Sequence, residues 1–182
     1  MLSQLKLAQE HGKKIRRAAG VARFNGWTTG IFAAITLLGG VFSLTSLLLG
    51  VALAVVAHNE FNGAKLLRRL DQRAPRRLGY NQLGLCGVVI VYSLWSIYSM
   101  LTGPSPYESA LAAGGQAAQM LGSIEQLHTT LIFGVYGSLI FVSLVVQGGN
   151  AWYYFTRARQ IQAYSTQTPQ WIIDLQQSGS PF

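Results

Sequence analysis

The chain has 182 residues, of which half are hydrophobic and only 11% carry a formal charge. Soluble domains carry about a quarter charged residues, so this composition argues against an ordinary water-soluble domain and favours a membrane protein. The net charge of +8 comes from cations that cluster between long uncharged blocks. A nucleic-acid binder would spread its charge over a water-facing domain, so we expect anionic lipid as a partner and no nucleic acid.

The N-terminal segment, residues 1–24, has the pattern of a basic amphipathic helix. Its lysines and arginines occupy most of the helical circumference, and its apolar residues lie close to one stripe. This pattern predicts a helix that rests on the inner leaflet of a membrane. The stripe consists of Leu2, Leu5, Ala8, Ile15, Ala18 and Ala22.

The first uncharged block is predicted to form a membrane hairpin over residues 25–60. One straight helix through the block would be about 54 Å long, well beyond the hydrocarbon core of about 30 Å. Gly39 and Gly40 weaken a helix, and Ser43 offers a hydroxyl cap before the next apolar run. The predicted spans are Asn25–Phe42 and Ser46–Ala57. A single long tilted helix and a hairpin that dips in without crossing are the alternatives.

The distribution of basic residues favours the hairpin. Six Lys or Arg precede the first block, six follow it, and two follow the last block. With a hairpin, all three clusters face the cytoplasm, as the positive-inside rule requires, whereas a single crossing would leave one cluster of six outside. The sequence therefore predicts cytoplasmic N- and C-termini in a bacterial-type plasma (inner) membrane.

Residues 61–79 are predicted to form a basic cytoplasmic linker helix that ends or kinks near Pro75. Its apolar stripe, which includes Phe61, Leu67 and Leu70, is expected to sink into the headgroup boundary. Its six cations form the candidate site for anionic lipid. They are Lys65, Arg68, Arg69, Arg73, Arg76 and Arg77. Setting the topology during insertion and docking an acidic cytosolic protein are alternative roles for this cluster.

Residues 80–155 contain two more uncharged blocks and so predict two more transmembrane helices. These spans lie near Gln82–Thr102 and Thr129–Gln147. They are separated by an external loop over residues 103–126, in which Ser105-Pro106 predicts the start of a short helix. The expected fold is thus an all-α integral membrane protein with a small bundle of about four transmembrane helices.

The polar C-terminal tail, residues 156–182, is predicted to contain one short amphipathic turn at Trp171-Ile172-Ile173. Cys86 is the single cysteine and lies inside an apolar run, which excludes an internal disulfide.

No Asp, Glu, Lys or Arg lies within the four predicted spans, which argues against ion-coupled transport. His58 and Glu60 stand beside the second span, but residues two apart on a helix point in different directions and do not converge. We expect Glu60 at a hydrated interface, near Lys65 or a cytoplasmic arginine. No catalytic residue, metal site or other cofactor site is predicted.

Small residues at helical spacing predict close contacts between helices, because they let backbones approach each other. The predicted packing positions are Ser46, Gly50 and Ala54 in the second span, and Gly134 and Ser138 in the fourth.

The leading functional hypothesis is a non-enzymatic structural or accessory subunit of a membrane protein complex. Its partners would be other transmembrane subunits or further copies of itself. A small channel or transporter component, with a path lined by the serines of the third span, is the second hypothesis. An interfacial lipid-active enzyme that uses His58, Glu60 or His128 is the third.

Overall fold

The computed structural model describes residues 2–41, 43–103 and 116–177, which form five α-helices and, among these residues, no strand. The helices are α1 (Leu2–Gly39), α2 (Leu44–Arg68), α3 (Ala74–Thr102), α4 (Gln116–Gln167) and α5 (Gln170–Gln177). The all-α prediction is therefore confirmed.

Three stretches of helix are long and apolar enough to cross a membrane, judged by length and composition. They are Leu44–Arg68, Ala74–Thr102 and Leu127–Tyr164. α1 is not among them, because polar residues such as Arg23, Asn25 and Thr28 lower its mean hydropathy. The described chain thus has the character of a helical membrane protein, with three candidate spans where four were predicted.

α1 and α2 form a helical hairpin, so the first uncharged block is not one long helix. That the hairpin crosses a membrane stays a prediction. α1 ends at Gly39, and α2 begins after Ser43, whose hydroxyl accepts a hydrogen bond from the Ser46 N–H at 3.4 Å. A Cβ added to Gly40 would lie 2.8 Å from the Cα of Leu47, so the turn needs glycine at this position. Both local signals in the sequence therefore act as expected.

Small residues set the close approach of α1 and α2. The facing pairs are Gly26 with Phe61, Gly30 with Ala57, Leu37 with Gly50, and Gly40 with Leu47. The two residue numbers of each pair add to the same value, as expected for two straight antiparallel helices. A Cβ added to Gly50 would lie 2.7 Å from the Leu37 side chain and 3.0 Å from its backbone nitrogen. Gly50 therefore packs within the chain, beside the half-buried Ser46 and Ala54.

The segment predicted as one linker helix over residues 61–79 is divided between two helices. α2 continues to Arg68, and α3 begins at Ala74. Pro75 is the second residue of α3. The first N–H groups of a helix have no acceptor within it, so proline loses no hydrogen bond here and starts a helix instead of ending one. In the same way, α1 runs without a break through the predicted boundary between residues 1–24 and the first span.

The turn between α2 and α3 is a Schellman motif. The Asp71 N–H donates to the Leu66 carbonyl, and the Leu70 N–H donates to the Leu67 carbonyl, each at 3.1 Å. Leu70 has a left-handed backbone with φ 60°, a conformation that usually favours glycine. Its half-buried side chain packs against the hydrophobic core, which accounts for a leucine at this position.

The chain divides into two compact units, of which the first comprises Met1–Leu85 and Gln147–Phe182. The core of this unit is built from all five helices. Its buried residues are Ile15, Ala18, Ala19, Ala22, Ala64, Leu67, Ala74, Leu78, Tyr154, Ile161, Tyr164, Ile172 and Ile173. Two of these, Ile172 and Ile173, belong to α5, which confirms the predicted amphipathic turn.

This core corrects the expectation that both basic segments rest on a leaflet. Ile15, Ala18 and Ala22 of the N-terminal stripe are buried against other helices, and Leu67 of the second stripe is fully buried. The physical reason is that five helices meet here and offer each stripe a protein partner. The described cations of these segments are exposed, whereas these apolar residues are covered by protein.

The second unit, Cys86–Val146, contains the later part of α3 and the earlier part of α4. Tyr92 and Tyr136 pack edge to face with ring centroids 6.2 Å apart, and Ser93 and Ser143 are buried. Most of the large apolar side chains of this unit are exposed. Such a surface is suited to lipid chains or to another apolar helix.

The predicted external loop over residues 103–126 is shorter at its C-terminal end, because α4 already begins at Gln116. The start of the short helix predicted after Ser105-Pro106 lies outside the described residues, and the end of its predicted body, residues 116–120, belongs to α4.

Candidate functional site

Glu60 is fully buried in α2, within a stretch that is long and apolar enough to cross a membrane. It lies on the same face of α2 as the buried residues Val56, Gly63 and Ala64. The expectation of a hydrated Glu60 near Lys65 is wrong. Lys65 is exposed, and five residues along a helix correspond to a rotation of about 140°, so the two side chains leave different faces.

Three neutral groups donate hydrogen bonds to the Glu60 carboxyl group. Asn81 Nδ2 and Gln82 Nε2 both donate to Oε1, at 2.8 and 2.9 Å. The Tyr154 hydroxyl donates to Oε2 at 3.3 Å. Both carboxyl oxygens thus have a hydrogen-bond partner. These bonds offset part of the cost of removing a carboxyl group from water.

Further hydrogen bonds extend this arrangement, which we call the Glu60 cluster: Asn25, Asn59, Glu60, Asn81, Gln82 and Tyr154. Asn25 Nδ2 donates to the Tyr154 hydroxyl at 3.3 Å. Asn81 Nδ2 also donates to the Val56 carbonyl at 3.0 Å, and Asn81 Oδ1 accepts from Asn59 Nδ2 at 3.2 Å. The cluster therefore joins residues of α1, α2, α3 and α4.

The Glu60 cluster has no acid–base partner in His58. The His58 side chain is exposed, and its Nε2 is 2.8 Å from Asn62 Nδ2 on the same helix. Among the described residues, no three His, Cys, Asp or Glu side chains come together as a metal site would require. The chemistry that the cluster supports best is a fixed polar connection between helices.

Sequence reasoning missed the partners of Glu60. Asn25, Asn81 and Tyr154 each lie near the polar end of an uncharged block, so the predicted topology places them at a similar depth. A comparison of how far each residue lies from the end of its uncharged block could have suggested that these polar side chains meet. The amide side chains were not singled out because amides are also common at hydrated interfaces.

The six cations predicted to bind lipid are all exposed, but they do not form one site. Three of them line a cleft of ≈ 590 Å³ between the start of α3 and the end of α4, which we call the arginine cleft. Its arginines are Arg73, Arg76, Arg77 and Arg159. Lys65, Arg68 and Arg69 do not line it. Arg159 was not a candidate, because only the contact between α3 and α4 brings it to the other three.

An aromatic pair forms part of the cleft wall. The Tyr80 and Phe155 rings lie edge to face with centroids 5.5 Å apart. Gly79 makes this contact possible, because an added Cβ would lie 2.7 Å from the Phe155 ring. Arg157 lies outside the cleft lining, and its guanidinium carbon stands 4.6 Å from the centroid of the Tyr153 ring.

The two small residues predicted in the fourth span lie on an exposed, mostly apolar groove of α4. Gly134 and Ser138 are exposed, and the groove also includes Thr130, Leu131 and Val142. Within the described part of the chain, a Cβ added to Gly134 would meet nothing within 4 Å. This contrasts with Gly50, which already contacts α1.

No protein-family model, characterised protein or solved structure matches the chain. Its class is therefore defined by its own helices: it is an all-helical protein with three candidate membrane spans and a buried carboxyl group that connects four helices.

We predict that Glu60→Met destabilises the protein strongly, while Glu60→Gln has a small effect. Methionine would leave the buried Gln82 amide and Tyr154 hydroxyl without an acceptor, at about 1–3 kcal/mol for each. The half-buried Asn81 amide would keep only its bond to the Val56 carbonyl. Glutamine keeps one oxygen for Asn81 and Gln82, and the Tyr154 hydroxyl can turn to accept from the new amide. Thermal unfolding in mild detergent measures the difference.

The control for this prediction is Asn62→Met, which places methionine at an exposed position of α2 and removes only a surface hydrogen bond to His58. Its melting temperature should stay close to that of the parent. Equal melting temperatures for the Glu60→Met and Asn62→Met proteins would show that the cluster contributes little to stability.

Proposed function

We propose that the chain is a non-enzymatic structural or accessory subunit of a complex in a bacterial-type inner membrane. The observation that carries this proposal is the exposed groove around Gly134 on α4. Lipid chains are as apolar as the protein surface, so association within a membrane depends on close packing, which small residues permit. An exposed glycine and serine one turn apart on a candidate span fit a contact with another transmembrane helix.

The partner is either a different transmembrane subunit or a second copy of this chain. The Glu60 cluster supports a structural role over an enzymatic one, because both carboxyl oxygens already accept bonds from groups that hold helices together. The exposed cations of the basic segments are proposed to attract an anionic leaflet diffusely, since each cation near such a charged surface contributes about 1 kcal/mol.

We further propose that the uncharged half of α1 is a fourth span, with both termini in the cytoplasm. All three basic stretches contribute residues to one core, as shown by Ile15, Leu67 and Ile161. Gathered around one core, they would lie on one side of the membrane. The hairpin turn near Gly40 and the segment 103–126 contain no Lys or Arg, as the positive-inside rule expects of external connections.

A channel or transporter component is the second candidate. Its supporting observation is the pair of buried hydroxyl groups of Ser93 and Ser143, for which the structure gives no hydrogen-bond partner. Ion flux through liposomes that contain the purified chain alone would favour this candidate over the accessory subunit.

The proposed topology predicts which single cysteines an impermeant reagent labels in intact cells, with Cys86 replaced by Ala. Val41→Cys at the hairpin turn and Thr102→Cys at the end of α3 should be labelled from outside. Gln72→Cys should be labelled only after the membrane is permeabilised. If the Thr102→Cys protein is labelled from outside but the Val41→Cys protein is not, the hairpin does not cross the membrane. External labelling of the Gln72→Cys protein would overturn the orientation.

The packing proposal predicts that Gly134→Leu weakens the complex but leaves the isolated chain stable. The new side chain meets nothing within the described chain. In the complex it would hold two helices apart and cost about 1–3 kcal/mol, which is a loss of about five- to 150-fold in affinity. Co-purification yield and thermal unfolding measure the two effects.

Two glycine variants provide matched controls. Gly84→Leu changes another exposed helical glycine without a neighbour within 4 Å, so it should affect neither quantity. Gly50→Leu should lower the melting temperature of the chain itself, because Leu37 occupies the space. If Gly134→Leu and Gly84→Leu give the same complex yield, the groove is not the contact.

A further inference from the structure

We propose that the arginine cleft is a specific site for the phosphate-bearing headgroup of an anionic phospholipid. This inference rests on the proposed membrane placement and deepens it, because it adds one specific lipid site to the diffuse attraction of the basic surface. The site combines Arg73 just before α3, Arg76 and Arg77 in the first turn of α3, and Arg159 near the end of α4.

The charge of the cleft calls for an anion. Four arginines line one space of ≈ 590 Å³, and none of the lining residues is acidic. Asp71, the nearest acidic residue in the chain, accepts the Arg73 N–H at 2.8 Å in the preceding turn and does not line the cleft. Guanidinium groups bind phosphate with two parallel hydrogen bonds, and the positive end of the α3 dipole adds to the attraction.

The position of the aromatic residues favours a lipid over a soluble phosphate. Along α3, Tyr80 follows Arg76 and Arg77 by about one turn toward the apolar part of the helix, and along α4, Phe155 precedes Arg159 by one turn. The Tyr80–Phe155 pair therefore separates the arginines from the apolar helix surfaces. A headgroup held by the arginines would direct its acyl chains past this pair, in the manner of aromatic residues at a membrane interface.

The cleft also differs from the other basic residues of the chain. Arg16 and Arg17 on α1 and Arg68 on α2 are exposed, but none of them lines the cleft. Diffuse attraction to an anionic surface depends on the number of cations and is insensitive to which ones are removed. A specific site predicts that the cleft arginines matter more than an equal number elsewhere.

The test compares two triple variants of the full chain in mild detergent. The cleft variant carries Arg76→Gln, Arg77→Gln and Arg159→Gln, and the control variant carries Arg16→Gln, Arg17→Gln and Arg68→Gln. Native mass spectrometry measures the binding of dioleoyl phosphatidylglycerol, with dioleoyl phosphatidylcholine as the neutral reference and glycerol phosphate as a soluble competitor. Thermal unfolding reports whether each variant is folded.

We expect the parent to bind phosphatidylglycerol at least about tenfold more tightly than phosphatidylcholine. The cleft variant should lose this preference, and the control variant should retain it within about twofold. Equal losses in both variants would overturn the site and leave diffuse binding, without affecting the assembly tested at Gly134. If glycerol phosphate displaces the lipid at equal concentration, the occupant of the cleft is a soluble phosphate. That result would overturn the lipid assignment.

A conservative variant keeps the test decisive if the cleft variant does not fold. Arg76→Lys, Arg77→Lys and Arg159→Lys preserve every charge, and therefore the topology signal, but remove the forked donors. We expect at least about a threefold loss of phosphatidylglycerol preference in this variant. Binding equal to that of the parent would overturn the assignment of the headgroup to these arginines.

Discussion

A buried carboxyl group is the constraint on which the arrangement of the helices depends. Removing Glu60 from water is costly, and the cost is offset only if its oxygens find donors in fixed positions. Those donors come from α3 and α4, and Asn25 of α1 continues the chain of bonds through Tyr154. Because a hydrogen bond tolerates little displacement, the cluster fixes how these helices align along their axes. Apolar packing alone would define this alignment less sharply.

The rest of the first unit is consistent with this alignment. Gly63 admits the Leu78 side chain where α2 meets α3, and Gly79 admits the Phe155 ring where α3 meets α4. The second contact brings Arg159 to the arginines at the start of α3 and so forms the arginine cleft. The same helix ends bury the apolar stripes of the basic segments in a protein core. In the proposed function, lipid recognition is therefore assigned to the exposed cations and not to amphipathic insertion.

Features specified by neighbouring residues could be predicted from the sequence, whereas features specified by tertiary contacts could not. The hairpin was predicted because two glycines and a serine cap lie together in the chain. Pro75 was misinterpreted because proline is common both after the end of a helix and in the first turn of one. Only the conformation of the residues after Pro75 distinguishes the two cases. The small-residue face of α2 was recognised, but its partner was not identified as α1, although Gly26 and Gly30 have the matching spacing. Glu60 was assigned to water because its donors lie 21, 22 and 94 residues away.

A double-mutant cycle between Glu60 and Tyr154 tests the central claim most directly, with free energies of unfolding measured in one detergent. In the parent, Tyr154→Phe removes a buried hydroxyl that is bonded to the carboxyl group, and it should destabilise the protein by about 1–2 kcal/mol. In the Glu60→Met background the hydroxyl has lost its acceptor, so the same substitution should have no effect or should stabilise the protein. A coupling energy of this sign and of at least about 1 kcal/mol supports the account. Additive effects, with Tyr154→Phe equally destabilising in both backgrounds, would contradict it.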